Sequence, residues 1–335
     1  MIPWITRARD AISWFFNWVY DLIISLTDLF FNTIQRIFGM RSMPYVFVLP
    51  NLLIFGIFIL FPMLLNFVYA FTGGSSFSPL DRPGVGTANF DRLLACENFL
   101  DPNTCGEDLF WRAVYNTIGY VVFQVALMVL FALITALILN RKIKARGFFR
   151  SVFFYPVLLS PIVVALLWKW ILQENGLING ILTSFGQDKI PFLVNADWAR
   201  ILVIMISVWA FMGFYTLILL AGLQSIPADL YEAASIDGAN PWQSFSNITM
   251  PLLMPTMIVV LVLSLIRAVQ VFDIVFAFTG GGPGTATLFL VQYIYNYGFS
   301  SPNKQFGIAA AASLLMAGVL IVLTVVQLAV RKEEN

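Results

Sequence analysis

An all-α membrane protein is the fold class this chain predicts, and three observations carry the prediction. Of 335 residues, 59% are hydrophobic and only 11% charged, against roughly 25% charged in a soluble domain. The apolar residues gather in runs long enough to cross a hydrocarbon core, which takes about 20 residues of helix. Lys and Arg concentrate in alternate connections between those runs, the bias that orients helices in a membrane.

The first 43 residues read as a segment apart. Ser13, Asn17, Asp21, Ser25, Asp28, Asn32 and Gln35 recur at steps of three or four, which puts them on one stripe of a helix. Trp14, Phe15, Trp18, Leu22, Leu26, Leu29 and Phe30 lie opposite or flank it. Two aspartates on a lipid-exposed span are costly, so residues 11–38 read as an amphipathic helix in the plane of the interface. A peripheral seventh span, or a helix docked on a partner, stays open. No small-residue cleavage site follows the first apolar stretch, so no cleavable signal is expected.

Residues 44–335 then form the transmembrane domain. Six spans are expected, at about 45–71, 113–139, 151–172, 201–223, 252–279 and 307–330. Arg7, Arg9, Arg36 and Arg41 precede the first span, and Arg141, Lys142, Lys144, Arg146 and Arg150 fill the second-to-third loop. Arg331 and Lys332 follow the last. Six spans bring all three regions to one side, so both termini are expected in the cytoplasm. The loop at 72–112 falls outside and carries Cys96 and Cys105. If that side is an oxidising periplasm, a short bridge becomes feasible across the turn-prone Asp101-Pro102-Asn103; two buried thiols are the other reading.

Composition also excludes chemistry. The chain has no His and two Cys, so Ser-His-Asp or Cys-His catalysis, His-ligated zinc and a four-cysteine cluster are ruled out. No catalytic residue and no metal ligand set is expected. A net charge of +1 without a basic run gives no reason to expect nucleic acid.

The fourth-to-fifth loop, 224–251, departs from the charge pattern. It holds Asp229, Glu232 and Asp237 and no Lys or Arg. Pro227 suits a first helical turn, and Gly238 suits the left-handed residue that ends a helix. Asn240-Pro241-Trp242-Gln243 reads as N-cap, N1 and a reciprocal cap, with Pro251 and Pro255 expected to end that second helix. Small Ala233 and Ala234 allow close approach, and Glu232 suits a partner's Arg or Lys.

At these residues the chain resembles the binding-protein-dependent ABC permease family. The signature is Glu-Ala-Ala, three residues, Gly, nine residues, Ile, one residue, Leu-Pro; here it stands as Glu232-Ala233-Ala234, Gly238, Ile248 and Met250-Pro251. Met for Leu is the one departure, and it conserves volume. A second block, Phe272-Asp273, Thr279-Gly280-Gly281-Gly282-Pro283, Thr287, Tyr295, Phe299, Phe306-Gly307 and Ala309–Ala312, is similar to carbohydrate-uptake permeases of the maltose F-type or glycerol-phosphate A-type. Together the resemblance spans about residues 45–330.

The resemblance implies a six-helix ABC importer permease bundle, sited in a bacterial inner membrane. Tyr231, Glu232, Ala233, Ala234, Asp237 and Gly238 would dock on a dimeric cytoplasmic ATPase. A second homologous permease and an extracytoplasmic solute-binding protein complete the assembly. No cofactor is expected on this chain, since ATP and Mg belong to the ATPase; Gly280–Gly284 lacks the Lys-Ser or Lys-Thr of a phosphate loop and reads as a flexible outer turn.

Polar residues inside spans supply pathway candidates. Arg267, Gln270 and Asp273 follow Ser264 at steps of three on the fifth span, and intramembrane charges usually face a bundle interior or a water-filled path. Structural pairing between helices is the alternative. Trp209, Gly213 and Tyr215 on the fourth span are candidates for stacking on a sugar. An ion-coupled secondary transporter would show its own ion site and often inverted repeats, and none is visible. A membrane enzyme would need converging catalytic groups.

Overall fold

The computed structural model describes residues 3–141 and 144–333. Lys142, expected in the second-to-third loop, lies outside the described residues. Contacts divide the chain into two units, Met1–Asn66 and Phe67–Asn335.

In the first unit α1 runs unbroken over Pro3–Phe38, eight residues earlier than the amphipathic pattern begins. It stops at Gly39, whose φ of +77° suits a residue without Cβ. Trp14, Phe15, Trp18, Leu29 and Phe30 are all exposed, and α1 is not among the helices apolar enough to cross a membrane. Next, α2 (Met43–Phe55) continues through a π turn at Gly56–Leu60 into α3 (Phe61–Ala70). The combined Met43–Ala70 rod has 28 residues, about 42 Å of helix, and none of its most apolar stretch is buried within the chain.

The second unit begins within the last turn of α3, and α4 (Ala88–Leu94) and α5 (Asp108–Asn140) follow. α6 (Arg146–Phe154), α7 (Pro161–Leu172) and α8 (Leu177–Ser184) follow. The third expected span is bent by 98° between Arg146–Leu158 and Pro161–Ser184. Pro156 sits in a 3-10 turn and Pro161 at the start of α7, where neither ring meets a continuous helical ladder. Among the described residues, five helices are long and apolar enough to cross a membrane, six with this bent pair taken as one.

α9 (Ala196–Gln224) returns along α5, and α10 (Ala228–Ile236) forms the connection. Met128, Ala132, Ala136 and Leu139 of α5 meet Leu219, Leu220 and Leu223 of α9 in one buried cluster. The four-residue spacing and small alanines let two backbones approach, the usual way helices pack where lipid surrounds them. α11 (Pro241–Ser244) leads through a π turn, Phe245–Thr249, into α12 (Met250–Val269). The expected stop at Pro251 and Pro255 does not occur. The widened turn bonds Met250 N–H to Phe245 O, and Pro251 falls within the first two positions of the following helix, where its missing donor is tolerated.

The fifth span also ends earlier than expected, at Val269 rather than 279. The chain leaves helical geometry at Gln270–Phe272, and α13 (Asp273–Phe278) restarts it. Packing decides this break: Ile274, Val275 and Phe278 are buried in one cluster with Val164, Ala165 and Leu172 of α7, and Phe272 stacks on Phe276 at 5.1 Å. α14 (Leu290–Tyr295) and α15 (Phe306–Glu333) complete the unit. Gly280–Gly284, expected to be a flexible turn, is closely bonded. Thr287 is fully buried; its hydroxyl donates to Gly282 O at 2.7 Å and its N–H to Gly281 O at 3.1 Å.

Candidate functional site

Residues 224–251 project from the end of the bundle where α5 and α9 finish and α12 begins. Ile226 is buried with Leu219, Leu223 and Leu253 and anchors the loop. Tyr231 and Ile248 pack against that cluster, and the Tyr231 and Thr249 hydroxyls are 2.9 Å apart. These contacts fix the inner face of α10.

Local chemistry shapes the outer face. α10 begins after Pro227 at the N-cap. At its end Ala239 N–H donates to Ala234 O at 2.9 Å and Gly238 N–H to Ser235 O at 3.2 Å, with Gly238 at φ +77°, the left-handed closure of a helix. Asn240 then caps α11. Its side-chain oxygen accepts from Gln243 N–H at 2.9 Å while Gln243 Oε1 accepts from Asn240 N–H at 2.8 Å, a reciprocal capping box.

The result is a rigid helix–glycine–helix knob. Glu232, Ala233, Asp237 and Gly238 are exposed, and Tyr231 and Ala234 are half-buried. Beside them Leu230, Ile236 and Trp242 are exposed, Ile236 at 86% and Trp242 at 71%. Sequence reasoning missed this apolar rim; Trp242 at the first turn of a capped helix was the available signal. Three exposed carboxylates, Asp229, Glu232 and Asp237, with exposed apolar side chains in the same loop suit a partner surface that is basic and partly apolar.

The other candidates are dispersed. Trp209 is exposed and meets Trp168 edge-on at 5.7 Å. Gly213 faces inward, where a Cβ would overlap Phe153 O at the close of α6. Tyr215 is buried in the core shared by α5, α9 and α12. Arg267 is exposed along α12, with its guanidinium 4.0 Å from the Phe211 ring centre, a cation–π stack. Gln270 closes α12, and Asp273 lies exposed in the first turn of α13. The expected stripe is therefore split between two helices. Neither Arg267 nor Asp273 forms an ion pair among the described residues.

The end opposite the knob is held by charged and covalent ties. Cys96 and Cys105 form a disulfide. Glu107, 4% exposed, pairs with Arg92 and accepts from Tyr297 Oη at 3.1 Å. Burial, reinforced by the Glu107 charge, raises the Tyr297 pKa above the usual tyrosine value. Arg82 is 7% exposed and donates to Thr72 Oγ1, Gly74 O, Ser76 O and Thr72 O at 2.8–3.1 Å, between the rings of Tyr69 and Phe306. Among the described residues, no group of three or more acids or cysteines converges as a metal site would require.

Residues 128–333 match the family described as binding-protein-dependent transport system inner membrane component. The chain is 36% identical to the trehalose/maltose transport system permease protein MalF of Thermococcus litoralis, over 85% of this chain and 92% of that one. It is 33% identical to the lactose transport system permease protein LacF of Rhizobium radiobacter, over 91% and 98% respectively. Its fold is similar to a chain of a bacterial ABC transporter involved in the import of the acidic polysaccharide alginate. That likeness has a TM-score of 0.73 and 26% identity over 90% of this chain and 99% of the other. A second alginate transporter structure, in complex with a pentasaccharide-bound periplasmic protein, gives a TM-score of 0.66 at 25% identity over 88% and 95%. A knob capped in this way, on a bundle of this form, thus has a family to match: the chain belongs to the inner-membrane permease components of binding-protein-dependent ABC importers.

Proposed function

We infer that this permease forms, with a second homologous permease, the membrane pathway for a carbohydrate delivered by an extracytoplasmic binding protein. Relatives named for trehalose/maltose and lactose transport support the substrate class. Energy comes from ATP hydrolysed on separate, paired ATPase subunits. The knob at 224–251 seats in a cleft of one of them and converts its closure into movement of α9 and α12, which flank the knob directly. Such coupling requires a contact that differs between two states of the ATPase. The observation that carries this reading is the exposed Glu232 and Asp237 on a loop whose backbone is fixed from both sides.

Arg141, Lys144, Arg146 and Arg150 fall at the knob's end of the bundle, which supports a cytoplasmic location for that end and for both termini of a multi-pass inner-membrane protein. Arg267, Gln270 and Trp209, all exposed in the single chain, supply hydrogen bonds and an aromatic face along the pathway. The test is co-purification combined with uptake. Wild type should retain an ATPase and a second permease. Glu232→Lys should insert normally yet lose ATPase retention and uptake about tenfold or more; unchanged retention and uptake would refute the docking role. Thermal shift of the cognate binding protein across a carbohydrate panel identifies the solute.

A further inference from the structure

Arg146 and Arg150 stand one turn apart on α6, and both reach the side chain of Gln224, the last residue of α9. With its amide oxygen turned toward them, Gln224 accepts from Nη2 of each at 2.8 Å. Two cations therefore converge on one neutral acceptor, within about 6 Å of each other. The Nε of each is buried and donates to no group among the described residues. Neither arginine forms an ion pair among the described residues, and the sequence holds no Asp or Glu between Asp108 and Glu174. Like charges held this closely call for an anion, and no carboxylate among the described residues pairs with either arginine.

The rest of α6 indicates where that anion resides. Phe148 and Val152 lie on the side of the helix away from the arginines, 66% and 50% exposed. A short helix with aromatic and aliphatic groups on one face and guanidinium groups on the other rests in the plane of a membrane surface. Phe148 and Val152 then meet hydrocarbon, and the arginine pair lies at the depth of the phosphates. We propose that Arg146, Arg150 and Gln224 form a binding site for the phosphate of an anionic phospholipid. The site touches α9 at the residue where the knob begins, so an occupied site braces the base of the docking loop. Its sidedness rests on the permease reading; its chemistry does not.

The test uses the purified transporter assembly, extracted from vesicles of phosphatidylcholine with phosphatidylglycerol as about a third of the lipid, and native mass spectrometry of retained lipid. Wild type should retain phosphatidylglycerol in preference to phosphatidylcholine. Arg146→Gln/Arg150→Gln should reduce that retention by about thirtyfold, the combined worth of two basic groups near an anionic surface. Gln224→Glu supplies an internal counter-charge and should reduce it too, which keeps the test informative if the double variant fails to fold. Arg141→Gln should retain lipid as wild type does. Equal retention in wild type and Gln224→Glu would overturn the proposal. Displacement of the lipid by millimolar inorganic phosphate would also overturn it, by making a soluble anion the ligand. Uptake is read separately, so failure of the lipid site is distinguishable from failure of the transport reading.

Discussion

Gly238 offers the most direct test of the docking role proposed for residues 224–251, because no atom of the described residues crowds it. Its φ is +77°, and a Cβ added there would meet no atom within 4 Å. Substitution therefore changes the backbone preference and little else. Ala in the left-handed region costs about 1–2 kcal/mol, Asn less, and a β-branched Val more. A strain of 1–2 kcal/mol shifts the balance between the observed loop and rearranged ones by about 5- to 30-fold. Coupled ATPase activity and uptake at matched membrane levels should fall in the order Asn, Ala, Val. The melting temperature of the purified permease should barely move, since Gly238 is exposed and α10 is anchored elsewhere by Ile226 and Tyr231. Equal uptake by Gly238→Val and wild type, with the protein inserted and folded, would refute the argument that the left-handed turn sets the angle of the knob.

Three further outcomes follow. Gly213→Ala should destabilise the permease by about 1–3 kcal/mol, because its Cβ overlaps the backbone at Phe153 and core overpacking costs that much; an unaltered thermal melt would instead favour a role confined to the pathway. Arg82→Met removes four hydrogen bonds that hold residues 72–76 and should cost about 3 kcal/mol, seen as faster limited proteolysis in that loop, with slower cleavage contradicting the assignment. Cys96→Ser opens a loop of separation 9, worth about 2–3 kcal/mol by the chain-entropy account; the variant should melt lower, and reduction should lower wild type to the same point while leaving the variant unchanged.

Much of the knob is legible from short-range rules. Asn240, Pro241 and Gln243 fix a helix start by bonds within three residues, and Gly238 fixes a helix end through its own dihedral preference. Beyond the hint of Trp242, the apolar rim of Leu230, Ile236 and Trp242 was not legible, because exposure depends on which face the inward-packed Tyr231 and Ile226 leave free. The pathway candidates show the same limit. Ser264, Arg267, Gln270 and Asp273 share one spacing in sequence, yet the chain breaks at Gln270–Phe272, where α13 packs on α7 and Phe272 turns toward Phe276.

By itself the sequence determined a membrane-spanning helical bundle and the helix–glycine–helix shape of the loop at 224–251. Those follow from apolar run length and from hydrogen bonds that close within a few residues. Tertiary structure alone decided the bend before Pro161, the passage through Pro251 by a π turn and the inward position of Gly213. It also decided the meeting of Arg146 and Arg150 with Gln224, more than 70 residues away. The last two depend on contacts between distant segments, whose packing outweighs the local preferences that a linear reading detects.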